Sequence, residues 1–205
     1  MTSVYFAILL VVGLTGFESE NHNLEAKPFN TEERRETNDS LILWNSTRKL
    51  TWDDFQGAAD STSKYKALTY VQIGLKSEQY NDSICVDVPT YFYKSLSWSK
   101  SISNSSLLKH EQLHFDIAEL MARKIRKEYS NYAFIDIKQG FKDLKDIYRK
   151  YYGTEFDRYN RNYDTETEHG TIAAKQKEWE LKIAKELKAL NAYSSTRVVI
   201  KRLKK

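Results

Sequence analysis

A chain of 205 residues with 40% hydrophobic and 29% charged residues has the make-up of an ordinary soluble domain, long enough for one real core. Seven Gly and two Pro argue against a loop-rich scaffold, and the single Cys85 excludes an intrachain disulfide. The formal charge of +4 is modest and gathers at Arg197, Lys201, Arg202, Lys204 and Lys205, so the broad basic face that a nucleic-acid partner requires is missing.

In chain order, Val4 to Leu14 is an apolar run of signal-peptide length, too short to span a membrane and followed by small residues. Residues 1–17 are therefore expected to be a signal peptide and the protein to be secreted, periplasmic or held at the cell envelope. An uncleaved N-terminus would be its one membrane contact. Residues 18–39 are polar, charge-dense and nearly free of aliphatics, which predicts a flexible linker; His22 falls within it. A folded domain is expected over 40–192 and a solvated basic tail over 193–205.

Leu41 to Trp44 reads as a short strand. Ala67–Ser77 and Ser83–Lys94, rich in Thr, Tyr, Val, Ile and Phe around Asn81-Asp82, predict an antiparallel hairpin. From Leu107 the pattern turns helical. A first helix, capped by Asn104 to Ser106 and apolar nearly all round, runs to about Tyr129–Asn131. Ile137, Phe141, Leu144, Ile147 or Tyr148, and Tyr151 mark a second. Ile172, Trp179, Ile183, Leu187 and Leu190 mark a third, interrupted by Gln176. Antiparallel strands in a small sheet followed by three helices make the fold class α+β.

The chemistry lies on the first helix. His110-Glu111-Gln112-Leu113-His114 is an H-E-x-x-H motif, in which histidines four apart share one helix face and both imidazoles can address one ion. Glu111, charged on an apolar helix, needs a partner or an ion and is placed to act as general base on a zinc-activated water. A hydrolytic zinc ion takes three protein ligands and keeps a position for water. The third is expected from Asp164-Thr165-Glu166-Thr167-Glu168-His169-Gly170: His169 is favoured, with Glu166 or Glu168 as competing carboxylates. Tyr163, Tyr159 or Arg161 could stabilise an oxyanion, and Asp164 or Glu166 could support a ligand histidine from behind.

Three ordered pieces, Leu50-Thr51-Trp52-Asp53-Asp54-Phe55-Gln56-Gly57, His110 to Arg123, and Tyr163-Asp164 through His169-Gly170 with Gln176 and Trp179 beyond, carry a resemblance that spans roughly Leu43 to Leu190, most of the mature chain. At these residues the chain resembles a bacterial family of predicted secreted zinc-dependent proteases, catalogued as domain-of-unknown-function family 922 and of the zincin type. The resemblance implies an α+β metallopeptidase-like fold, one Zn2+, His110, His114 and His169 as ligands, and Glu111 as catalytic residue. Ile117, Ala118 and Leu120 stand where a metzincin continues its motif, and no Glu follows at the thermolysin-like distance. The function expected is an exported metallopeptidase acting on a peptide or protein substrate. The alternative is a non-catalytic, zinc-stabilised binding module of the cell envelope.

Overall fold

The computed structural model describes residues 40–203; the expected signal peptide, the linker and His22 lie outside the described residues. Helix α1 (Ser105–Ser130) is the axis on which the other elements are laid. It begins where predicted, with the Asn104 side chain accepting from the Leu107 amide at 3.0 Å. Its residues Phe115, Ile117, Leu120, Met121 and Ile125 are buried, because strands cover part of its surface and helices the rest.

Among the described residues, eight short strands form three antiparallel sheets. β1 (Leu41–Leu43) and β3 (Val71–Ile73) flank β6 (Thr90–Tyr93); β2 (Ala67–Leu68) pairs with β7 (Trp98–Ser99); β4 (Lys76–Tyr80) and β8 (Arg197–Lys201) flank β5 (Ser83–Asp87). The predicted hairpin is present, with Asn81 at positive φ in its turn. It is divided between two sheets, β3/β6 and β4/β5, at Gly74 and Pro89. There the Gly74 amide donates to the Pro89 carbonyl at 2.7 Å, and Pro89, lacking an N–H, cannot return the ladder bond.

Residues 193–205, expected as a solvated basic tail, instead contain β8, which pairs with β5 over five positions. The basic residues hid a period of two: Val198 and Ile200 are buried while Arg197, Val199 and Lys201 face solvent.

Three helical stretches follow the hairpin, as expected for the α+β class, but the second is longer than its apolar stripe. α2 (Ile137–Tyr148), capped by Asp136 on the Gln139 amide at 2.8 Å, passes through a π-helical segment, Arg149–Glu155, into α3 (Phe156–Thr167). The wider turn resets the helical phase, so the buried face of α3 (Phe156, Asn160, Tyr163, Thr167) does not continue the stripe of α2. α4 (Ala173–Ala189) is the third stretch, burying Gln176, Trp179 and Ile183.

The Leu50–Gly57 piece is fastened to α1. Gln112 Oε1 accepts from the Leu50 amide at 2.7 Å, and Asp116 accepts from Trp44 Nε1 at 2.8 Å. Gly57 closes the piece against the short 3-10 turn Lys94–Leu96 after β6, where a Cβ would stand 2.8 Å from the Ser95 carbonyl oxygen.

Candidate metal centre

His110 and His114 sit one turn apart on α1, and their Nε2 atoms lie 3.2 Å from each other. From α3, Asp164 brings Oδ1 to 3.2 Å from His110 Nε2 and 3.1 Å from His114 Nε2. The three atoms form a nearly equilateral triangle. Ligands 2.0–2.2 Å from a tetrahedral ion are about 3.3–3.6 Å apart, so the triangle is close to one face of such a site and needs only a slight spreading.

The hydrogen bonds behind the rings decide which nitrogens face inwards with a lone pair. His114 Nδ1 lies 2.7 Å from Asn160 Oδ1, and the Asn160 amide nitrogen is already committed to the Phe156 carbonyl at 2.9 Å. The ring must therefore donate through Nδ1. His110 Nδ1 faces Gln176 Oε1 at 3.4 Å, an oxygen that also accepts from Tyr163 Oη at 2.7 Å, while the Gln176 amide nitrogen donates to Glu180 at 3.2 Å. This longer contact orients His110 in the same sense. Neutral rings so held present two Nε2 lone pairs to Asp164 Oδ1, which is buried and has no well-aligned donor among the described residues. Three acceptors facing one another are unstable without a cation or proton between them.

The electrostatics agree. Burial opposes a charge on His114, but the Asp164 carboxylate, with smaller contributions from Glu111 and Asn160, raises its pKa from 6.5 to about 9. Burial would raise Asp164, yet the two imidazoles at its oxygen hold it well below the ordinary carboxylate range. The cluster thus binds a proton tightly in the position where a metal ion would compete for it.

Glu111 stands close enough to the cluster to help raise His114, and it also reaches the strands. It is 4% exposed, and its Oε2 accepts from Thr69 Oγ1, between β2 and β3, at 2.7 Å. Tyr163 stacks on the His110 ring, centroids 4.6 Å apart, and its own pKa is pushed up by burial.

His169, expected as the third ligand, does not join the triangle: its side chain is 50% exposed and its Nδ1 is 3.7 Å from Asp164 Oδ1. Asp164, expected behind a ligand, occupies that position instead. The reason is the end of α3. Glu168, His169 and Gly170 are all left-handed, with φ of 46°, 54° and 80°, in a turn closed by the His169 amide on the Asp164 carbonyl at 2.9 Å. This turn carries the His169 ring outwards onto Tyr65, centroids 5.1 Å apart, and lays Gly170 under His110. A Cβ at Gly170 would stand 2.9 Å from His110 Cβ.

The other candidates are engaged elsewhere. Glu166 accepts from Trp179 Nε1 at 2.8 Å, and Glu168 is exposed. The Tyr163 hydroxyl is spent on Gln176, Tyr159 on Glu186 and Lys124, and Arg161 pairs with Asp157, so the expected oxyanion partners all face other groups. Asn160, Gln176 and Thr69 were not anticipated as site residues. For Asn160 the available signal was its spacing, four residues before Asp164 on one helix; for Gln176 it was a polar side chain interrupting an apolar stripe.

A family model described as "Bacterial protein of unknown function (DUF922)" matches residues 94–170, a stretch that holds His110, Glu111, His114, Asn160 and Asp164. Over those residues the chain is similar to that family. No curated protein and no solved structure matches the chain.

Proposed function

We propose that the protein is a zinc-dependent hydrolase of peptide bonds, with His110, His114 and Asp164 as the metal ligands and Glu111 as general base. The observation that carries this reading is the convergence of two oriented imidazole lone pairs and an unpartnered carboxylate oxygen at 3.1–3.2 Å. Two histidines and a carboxylate are a donor set suited to zinc, and a three-ligand site leaves room for water. Bound there, zinc would polarise a substrate carbonyl and bring a water within reach of deprotonation near neutral pH.

The chain's own residues supply the rest. Thr69 holds Glu111 through Oε2, so Oε1 is the oxygen that takes a proton from the attacking water and later returns it to the leaving amine. Burial of Glu111 at 4% exposure limits competing solvent around that proton transfer. Asn160 and Gln176 keep both rings in one tautomer through the cycle. The apolar run at residues 4–14 makes export the accompanying expectation.

The test is Glu111→Gln, which keeps size and hydrogen bonding to Thr69 while removing the ionisable group. Zinc content and folding should match the parent protein, and hydrolysis of a peptide library should fall by about a hundredfold or more. Equal cleavage by both proteins would refute the general-base role. Zinc binding without cleavage by either would favour the non-catalytic binding module.

A further inference from the structure

Away from the metal centre, α1 carries a second group of buried charges that the hydrolytic reading does not use. Glu119, Arg123 and Arg126 are 3%, 5% and 1% exposed and line a cavity of about 270 Å3 between α1, β1 and the segment after α4. Along α1, Arg123 is about 13 Å from His114, and the cavity shares no lining residue with the His110, His114 and Asp164 cluster.

The charges in this cavity do not balance. Glu119 Oε1 accepts from both Arg123 Nε at 2.9 Å and Arg126 Nη2 at 2.6 Å, and its Oε2 is taken by Thr90 Oγ1 at 2.9 Å. One carboxylate therefore serves two guanidinium groups, and the cavity wall keeps an excess positive charge. Arg123 has a further partner in the Leu187 carbonyl at 2.8 Å. Arg126 is worse supplied: Nη1 reaches the Ser194 carbonyl at a long 3.4 Å, and its buried Nε has no hydrogen-bond partner among the described residues. A fully buried guanidinium with an idle donor is costly, and burial together with the neighbouring Arg123 lowers the pKa of Arg126 despite Glu119.

We infer that this cavity is a binding site for a small monocarboxylate. A single negative charge closes the balance of two arginines and one glutamate, and a planar carboxylate matches the guanidinium fork. A dianion such as phosphate would overshoot that balance beside Glu119. The rim supplies neutral polar groups from Asn45, Ser46, Asn191 and Ser194, with exposed Leu43 at its edge to meet a short apolar tail. The site is independent of the metal ligands.

Propionate is the probe, added to the full chain at constant ionic strength with chloride as the balancing ion. Saturable binding with Kd on the order of 1 mM should raise Tm by about 4 °C at about 20 mM propionate, and chloride should give no rise. The Nε–H resonance of Arg126 should shift with the same saturation curve. Arg123→Gln should weaken binding at least tenfold. Should that variant lose its fold by circular dichroism, Ser194→Phe decides the matter: it plugs the exposed rim, leaves the buried charges in place, and should abolish the propionate response. Absence of saturable binding, an Arg126 signal that ignores propionate, unchanged binding in Ser194→Phe, or tighter binding of phosphate than of propionate would each overturn the assignment.

Discussion

Replacing Asp164 by Asn keeps the shape of the side chain and removes its charge, which separates the two candidates for the third ligand position. Asp164 Oδ1 is within 3.2 Å of both Nε2 atoms, whereas His169 is half exposed and 3.7 Å from that oxygen. Loss of a supporting partner behind a ligand costs about 10–100-fold in metal affinity, and loss of a charged ligand should cost more. A chelator-competition titration should thus give Asp164→Asn a zinc Kd more than about a hundredfold weaker, with His169→Ala close to the parent. The metal-free protein offers a second readout. His114 has its pKa raised from 6.5 to about 9, chiefly by Asp164 acting against burial. A raised histidine pKa contributes stability that is fully present below the unfolded value and is lost as pH rises through the folded one. The contribution is about 3 kcal/mol, on the order of magnitude that such a shift implies. In chelator, urea unfolding should show Asp164→Asn destabilised by about that amount near pH 6, with the difference shrinking towards pH 10. If Asp164→Asn binds zinc like the parent while His169→Ala fails, the ligand set is wrong.

Three further outcomes are expected. Asn160→Leu removes the acceptor 2.7 Å from His114 Nδ1 and should weaken zinc about 10–100-fold in the same titration, with helical content unchanged by circular dichroism. Gly170→Ala would drive a Cβ to 2.9 Å from His110 Cβ at φ +80°, so it should lower stability by about 1–3 kcal/mol in urea and lower zinc occupancy with it. An unchanged Gly170→Ala protein would mean that the turn does not brace His110. Truncation before Arg197 strips Val198 and Ile200 from beside β5, and at about 1.5–3 kcal/mol per buried side chain the loss should reach about 3–6 kcal/mol. Thermal melting near that of the full chain would show β8 to be dispensable.

The motif helix and the strands before it other than β7 were legible in residues 40–130, because each depends on short-range pattern. An apolar run with an Asn cap makes α1, and β-branched and aromatic stretches around Asn81-Asp82 make the hairpin. The bend at Pro89, the burial of β8 and the continuation of α2 into α3 escaped that reading. Each rests on an interruption of local periodicity that only packing rewards: a missing N–H, basic residues alternating with Val198 and Ile200, and a π-helical turn that resets the helical phase.

For the site, the sequence by itself determined that two imidazoles and a glutamate share neighbouring faces of one helix, since spacing of four and one on a 3.6-residue turn permits little else. It also singled out the stretch from Tyr163 to Gly170, from which Asp164 reaches the imidazoles. Within that stretch, only tertiary structure brought Asp164, and not His169, up to the two imidazoles. The choice follows from the left-handed turn at Glu168 to Gly170, which swings the imidazole to the surface while α3 holds the carboxylate inwards. The lone-pair orientation likewise needed Asn160 and Gln176, 46 and 66 residues from their histidines, to arrive behind the rings. Contacts across such separations are set by how α1, α3 and α4 pack, and no local pattern encodes them.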